Sequence, residues 1–296
     1  MWWATRLLRY LYLKTVVTLF RTVFKLTRPA IVAENPHQKL LIPSRDAKRF
    51  LTAHLYGGDA SKPRPTLINF HGSGMIFPAF GKTTSFAIIF PKTQTTRSST
   101  LRTVSPENPF PAAVNDVEDA VRWVLSQPEK FDLSRLSISG FSAGGNLALV
   151  ASGVLMPPKT FRSVLAFYPG TDLTRIPEEM VAPDPTGKVI PPRLARLFRK
   201  CYIPDGVDAR DPRISPIFAD PARYPARVLV ITAARDNMAS EAEDFVSALQ
   251  KQSDNLVKFK RMEGCTHGFD KRTTDGTEHA KAKKMAYEMA VEMLKS

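Results

Sequence analysis

Cysteine is nearly missing from this chain: Cys201 and Cys265 are the two among 296 residues. No disulfide framework is implied, and a reducing, intracellular compartment is the expectation. Histidine is scarce as well, at five. No zinc-ligand spacing, aromatic-interleaved basic face or other nucleic-acid module occurs, so no metal and no nucleic-acid partner is expected. Internal repeats are absent. So are long apolar runs: the stretch from Tyr10 to Phe20 is broken by Lys14 and is too short to span a bilayer comfortably. No small-residue cleavage site marks a signal peptide.

Acidic residues are missing from two stretches. Residues 1–30 hold six basic residues and Lys82–Val104 hold four, with no acid in either, so ten of the fourteen net positive charges sit there. The rest of the chain is only mildly basic, which weakens a nucleic-acid reading of the net charge. Lys14, Thr18, Arg21, Lys25 and Arg28 fall at helical spacing as one polar stripe, with Leu13, Val16, Val17, Phe20, Val23 and Phe24 on the other side. Pro29 ends that pattern. Three readings stand for this segment: a basic amphipathic helix, with Trp2 and Trp3, lying on a membrane surface through residues 1–28; a cap over a site; or a targeting peptide.

What is present is an alternation of strands and helices. Lys39–Asp46, Phe50–Tyr56, Pro65–Phe70, Leu133–Ser139, Phe161–Tyr168, Arg227–Ala233 and Leu256–Met262 read as strands. Pro111–Ser126, Asn146–Gly153, Ala239–Gln250 and Glu278–Leu294 read as helices, the first with Ala113, Val117, Ala120, Val121 and Val124 facing inward. Residues 172–224 are proline-rich and lack a repeated strand pattern, as an insertion would. The alternation predicts an α/β fold with a mostly parallel sheet covered on both faces.

Chemistry gathers at the ends of those strands. GFSAG, Gly140 to Gly144, follows a strand and opens a helix, the geometry of a nucleophile elbow that exposes Ser142. Taken alone it is also an ordinary tight turn. A serine hydroxyl needs a base, and the base an orienting acid. His267 follows a late strand, and Asp236 directly follows RVLVITAAR. His37, His54 and His279 stand in ordinary surface contexts, and His71 is better placed as a structural group. The order Ser142, Asp236, His267, each at the C-terminal end of a strand, predicts a catalytic triad. HGSG, His71 to Gly74, follows an early strand. Gly72 lets the backbone approach closely, and the N–H groups of Ser73, Gly74 and Ala143 are the expected oxyanion donors.

HGSG, SPENPFPAAVNDVEDAVRWV, GFSAGGNLAL, ITAARD and HGF together resemble the hormone-sensitive-lipase-like branch of the α/β hydrolases, from about residue 40 to the end. The resemblance implies hydrolysis of a small-molecule carboxylic ester through an acyl-enzyme, with no metal or organic cofactor. It implies a core of residues 36–171 and 225–296, capped by residues 1–35 and 172–224. It leaves the oligomeric state open. The plant gibberellin receptors resemble this branch without its catalytic histidine, so a non-catalytic ligand-binding protein is the alternative; here His267 is present.

The chain departs from the family pattern twice. HGSG replaces the usual H-G-G-G, which demands that serine tolerate the backbone conformation at Ser73. Between Lys82 and about Thr103 the expected central strand, of the form V-x-x-x-x-Y-R-L-A-P-E, is replaced by RSSTLRTVSPE. A buried strand with Arg97, Ser98, Ser99, Thr100 and Arg102 would carry polar groups into the core. One reading is a segment translated in the wrong frame, since permitted codons read in a shifted frame yield V-L-D-A-P-Y-R. The other is a divergent loop. Either way one central strand is expected to be missing or corrupted around residues 82–104.

Overall fold

The computed structural model describes residues 2–27, 38–46, 48–56, 63–77, 95–100, 104–271 and 273–295. Among the described residues eight strands form one sheet: β1 (Gln38–Pro43), β2 (Phe50–Tyr56), β3 (Arg64–Phe70), β4 (Thr95–Thr100), β5 (Phe131–Phe141), β6 (Ser163–Phe167), β7 (Arg227–Arg235) and β8 (Leu256–Thr266). Their spatial order is β1-β2-β4-β3-β5-β6-β7-β8. From β4 to β8 every pairing is parallel, whereas β1 and β2 are antiparallel to each other and β2 is antiparallel to β4.

The central strands are buried on both faces, and the period of two separates their side chains. Ile68, Phe70, Ile138, Val164, Val228 and Val230 face one cluster, with helices α2 (Ala112–Leu125), α3 (Ala143–Val150) and α5 (Ala239–Gln252) packed on it. Leu67, Leu165, Phe167, Leu229 and Ile231 face the other, covered by α6 (Glu278–Lys295). This explains why the strand sequences are apolar almost throughout rather than alternating. In α2 the buried face includes Ala113, Val117, Ala120, Val121 and Val124, as their spacing predicts. Asp116 on the same face is fully buried and accepts from Arg49 at 2.6 Å, which ties the β1–β2 connection to α2.

Two elements lie outside that frame. Helix α1 (Trp2–Thr27) buries Leu13 and Val17 against Ile76, Phe77 and Cys201, with Phe20 and Phe24 packed alongside. Helix α4 (Pro192–Tyr202) falls within the proline-rich stretch and adds Leu197 and Phe198 to the same cluster. Val23, expected on the inner side of α1, is instead exposed, and Arg21, expected on the polar stripe, turns inward.

The central strand also departs from expectation. The missing central strand is not missing: β4 stands between β2 and β3, in register from Leu67 opposite Thr96 to Phe70 opposite Ser99. Ladder pairing uses backbone N–H and C=O groups that every residue of TTRSST carries, and the facing edges of β2 and β3 would otherwise lack partners. Threonine is moreover a good strand former. Most of the segment read as frame-shifted, 82–94 and 101–103, lies outside the described residues.

Candidate active site

The tight turn at Ser142 is set by what its glycines exclude. A Cβ on Gly140 would stand 2.0 Å from the Gly144 carbonyl oxygen, and one on Gly144 would stand 2.3 Å from that of Phe70. Only hydrogen fits at either place, so β5 can turn into α3 within a few residues. At the apex Ser142 adopts φ 52° and ψ −120°, a conformation that costs a non-glycine residue about 1–3 kcal/mol. Its N–H donates to the Phe167 carbonyl at 2.9 Å, which pins the elbow to β6.

His267 follows β8 directly, and its Nε2 lies 2.9 Å from Ser142 Oγ. Its Nδ1 lies 2.6 Å from Asp236 Oδ2. Asp236 is fully buried just past β7, and its second oxygen accepts from the Met238 N–H at 3.0 Å. An acceptor-only carboxylate at Nδ1 requires a proton there. Nε2 is then free to accept from the serine hydroxyl. Burial works against the charged imidazole, but Asp236, by charge and by hydrogen bond, outweighs it and His267 titrates above an ordinary histidine. The three residues singled out from sequence thus come together from three strand ends.

The HGSG loop lies alongside. A Cβ on Gly72 would meet Ser142 Cβ at 3.3 Å, and Gly74 takes φ +55° with the Phe198 ring against it. Left-handed backbone falls on Gly74 and Met75, not on Ser73, so the serine replaces a glycine without strain. Ser73 Oγ accepts from the Met75 N–H at 3.2 Å, and the Ser73 carbonyl accepts from Phe77 at 3.0 Å. Among the described residues no acceptor faces the backbone N–H groups of Gly72, Ser73, Gly74 or Ala143. Ala143 opens α3, where the helix leaves its first N–H groups unpaired and partly positive. His71 is buried, with Nδ1 3.2 Å from the Gly72 carbonyl, a place within the loop.

Sequence reasoning missed the support behind the imidazole. Asp270 is buried and accepts from Tyr168 at 2.5 Å and Tyr287 at 2.6 Å, with Lys271 at 2.8 Å. The Tyr168 ring stands edge-on to His267, 4.8 Å between centres. Burial disfavours the Asp270 charge, yet Lys271 and the two hydroxyls hold the carboxyl below its ordinary range. The available signal was the acid three residues past His267, in the run HGFDK.

Arg21 was likewise missed. It donates to the Ile76 carbonyl at 2.7 Å, the Ser105 carbonyl at 2.8 Å and Glu107 at 2.8 Å, so α1 clamps the end of the HGSG loop to SPENPFP. Ser142, His267 and HGSG open onto one cavity of about 340 Å³. Its walls are mainly apolar, from Phe77, Leu173, Met180, Ile190, Leu194 and Phe198. Glu241 also lines it, buried, accepting from the Thr171 N–H at 2.9 Å; burial pushes its carboxyl up to about 8. No cluster of potential metal ligands occurs among the described residues.

Comparison with known proteins bears on the family. The model of a family described as alpha/beta hydrolase fold matches residues 67–271. The chain is 31% identical over 176 residues to the carboxylic ester hydrolase LipN of Mycobacterium tuberculosis, covering 56% of this chain and 46% of that protein. It is 29% identical over 172 residues to the ethyl acetate hydrolase of Pseudomonas putida, covering 56% and 53%. It therefore spans about half the length of these two curated relatives. Among solved structures, an esterase of Pyrobaculum calidifontis superposes with a TM-score of 0.74 at 26% identity, covering 94% of both chains.

Proposed function

Since the chain belongs to the alpha/beta hydrolase fold family, we propose that it is a serine hydrolase of carboxylic esters that works through an acyl-enzyme. The observation that carries this reading is the continuous relay from Ser142 Oγ to His267 Nε2, and from Nδ1 to Asp236, at 2.9 and 2.6 Å.

Ser142 Oγ attacks the ester carbonyl carbon while its proton passes to His267 Nε2. Asp236 holds the ring and stabilises the imidazolium that forms. The carbonyl oxygen becomes an oxyanion among the N–H groups of Ser73, Gly74 and Ala143, with Gly72 beside them. The tetrahedral intermediate collapses, the C–O bond to the alcohol breaks, and His267 returns the proton to the leaving oxygen. Water, deprotonated by His267, then attacks the acyl carbon; the acid departs and Ser142 regains its proton. The apolar cavity suits a hydrocarbon acyl or alkyl group.

In this reading α1 and residues 172–224 form the cap that shapes the cavity, and the outer side of α1 meets a membrane surface. No described helix is long and apolar enough to cross a membrane, so the contact is peripheral. Free, buried Cys201 and Cys265 suit an intracellular setting.

The test is hydrolysis of short p-nitrophenyl esters by the wild type and Ser142→Ala. Loss of the nucleophile is expected to lower kcat by at least about 10³-fold. An unchanged rate in the folded variant removes Ser142 from the mechanism.

A further inference from the structure

Helix α1 uses less than half of its circumference on the protein. Its inner side carries Leu13, Val17, Phe20 and Phe24, and Phe20 and Phe24 lie 5.4 and 4.9 Å from the cavity residue Phe77, ring centre to ring centre. The opposite side is the unexpected one. Leu8, Leu11, Thr15, Leu19, Thr22 and Leu26 recur at three- and four-residue steps, which aligns them along one stripe about 27 Å long at a rise of about 1.5 Å per residue. Leu8 is 68% exposed, Leu19 62% and Leu26 80%, flanked by Trp3 at 71% and Tyr12 at 67%. A soluble helix ordinarily turns its charged residues to that side. Here the stripe contains no charge.

The charges lie around it and carry one sign. Helix α1 holds five basic residues and its neighbour α4 holds four, and neither helix holds an acid. Arg9, Arg21 and Arg196 are paired with Asp205, Glu107 and Glu178. Lys14, Lys25, Arg193 and Lys200 remain exposed on the same two helices.

We infer that the outer face of α1 docks in the interfacial region of an anionic lipid bilayer, with Leu8, Leu11, Leu19 and Leu26 in the acyl boundary and the basic groups of α1 and α4 at the headgroups. Charge decides between this occupant and a second copy of the chain. Apposing two such faces would bring basic groups from both copies together, whereas anionic headgroups neutralise them. The aromatic residues agree, because indole and phenol favour a boundary that is apolar on one side and wet on the other. Docking would hold a cap that touches the cavity wall at the lipid surface. This deepens the functional reading above, but the binding is measured apart from catalysis.

The experiment is co-sedimentation of the full chain with vesicles of phosphatidylcholine alone and of phosphatidylcholine with phosphatidylglycerol, beside the charge-neutral double variant Leu8→Gln/Leu19→Gln and Ser142→Ala. Partitioning to the anionic vesicles at least about tenfold stronger than to neutral ones is expected. The double variant should lose it and keep wild-type hydrolysis of a soluble ester, since both leucines point away from the protein. Ser142→Ala should bind as the wild type does whether or not the hydrolase reading holds. Absence of wild-type binding overturns the inference. So does binding that survives in the double variant, which would be charge attraction alone. A dimer in solution that the double variant dissolves, without vesicle binding, assigns the face to a second copy.

Discussion

At the residue scale, His267 is governed by groups of opposite effect. Asp236 and Asp270 raise its pKa, while burial and Lys271 lower it. A general base must be neutral, so a raised pKa places the acid limb of the kcat/KM profile above the pH at which an ordinary histidine titrates. Asp270→Asn removes one raising charge and leaves Lys271 unopposed, so the limb is expected to move to lower pH, with Ser142 still reactive. The amide can still accept from Tyr168 or Tyr287, which preserves the packing against the imidazole. A pH–rate profile that keeps its limb while the protein merely loses stability would make Asp270 structural only. The candidate triad was legible because Ser142, Asp236 and His267 each follow a strong strand. The Asp270 network was not, because Tyr168 and Tyr287 meet Asp270 across 102 and 17 residues and share no local pattern with it.

At the element scale, the elbow and the HGSG loop are readable from spacing because their glycines answer to backbone sterics rather than to distant partners. Helix α4 was obscured. Leu194, Leu197, Phe198 and Cys201 do recur at helical intervals, but proline surrounds them, and Leu197, Phe198 and Cys201 find their partner in α1, about 190 residues away. The polar stripe of α1 misled for a related reason: Arg21 belongs to it by spacing yet satisfies two backbone carbonyls and Glu107. Arg21→Ala should destabilise the protein by about 1.5–3 kcal/mol, the range for hydrogen bonds from a charged group. Because the clamp lies just beyond the HGSG loop, its loss should lower kcat more than it raises KM, and Arg21→Lys should recover only part. Denaturant titration and steady-state kinetics check both. An equal effect of alanine and lysine, with kcat untouched, would contradict the clamp.

At the scale of the whole molecule, the parallel sheet was legible because doubly buried strands read as apolar runs. Strand β4 was not, because TTRSST has no apolar signal and its place is set by the open edges of β2 and β3. The fold then does one thing for function: it brings the ends of β3, β5, β7 and β8 to one rim, where HGSG, Ser142, Asp236 and His267 meet. If that assembly is an enzyme, Ser142 is the most reactive serine in the molecule. The direct measurement is labelling of the full chain by a fluorophosphonate, with the adduct mapped by peptide mass. One adduct per chain on Ser142, absent from Ser142→Ala and strongly slowed in His267→Ala, is the predicted result. A folded chain that stays unlabelled, or is labelled at another residue, would contradict the account and leave a hydrolase scaffold that binds without reacting.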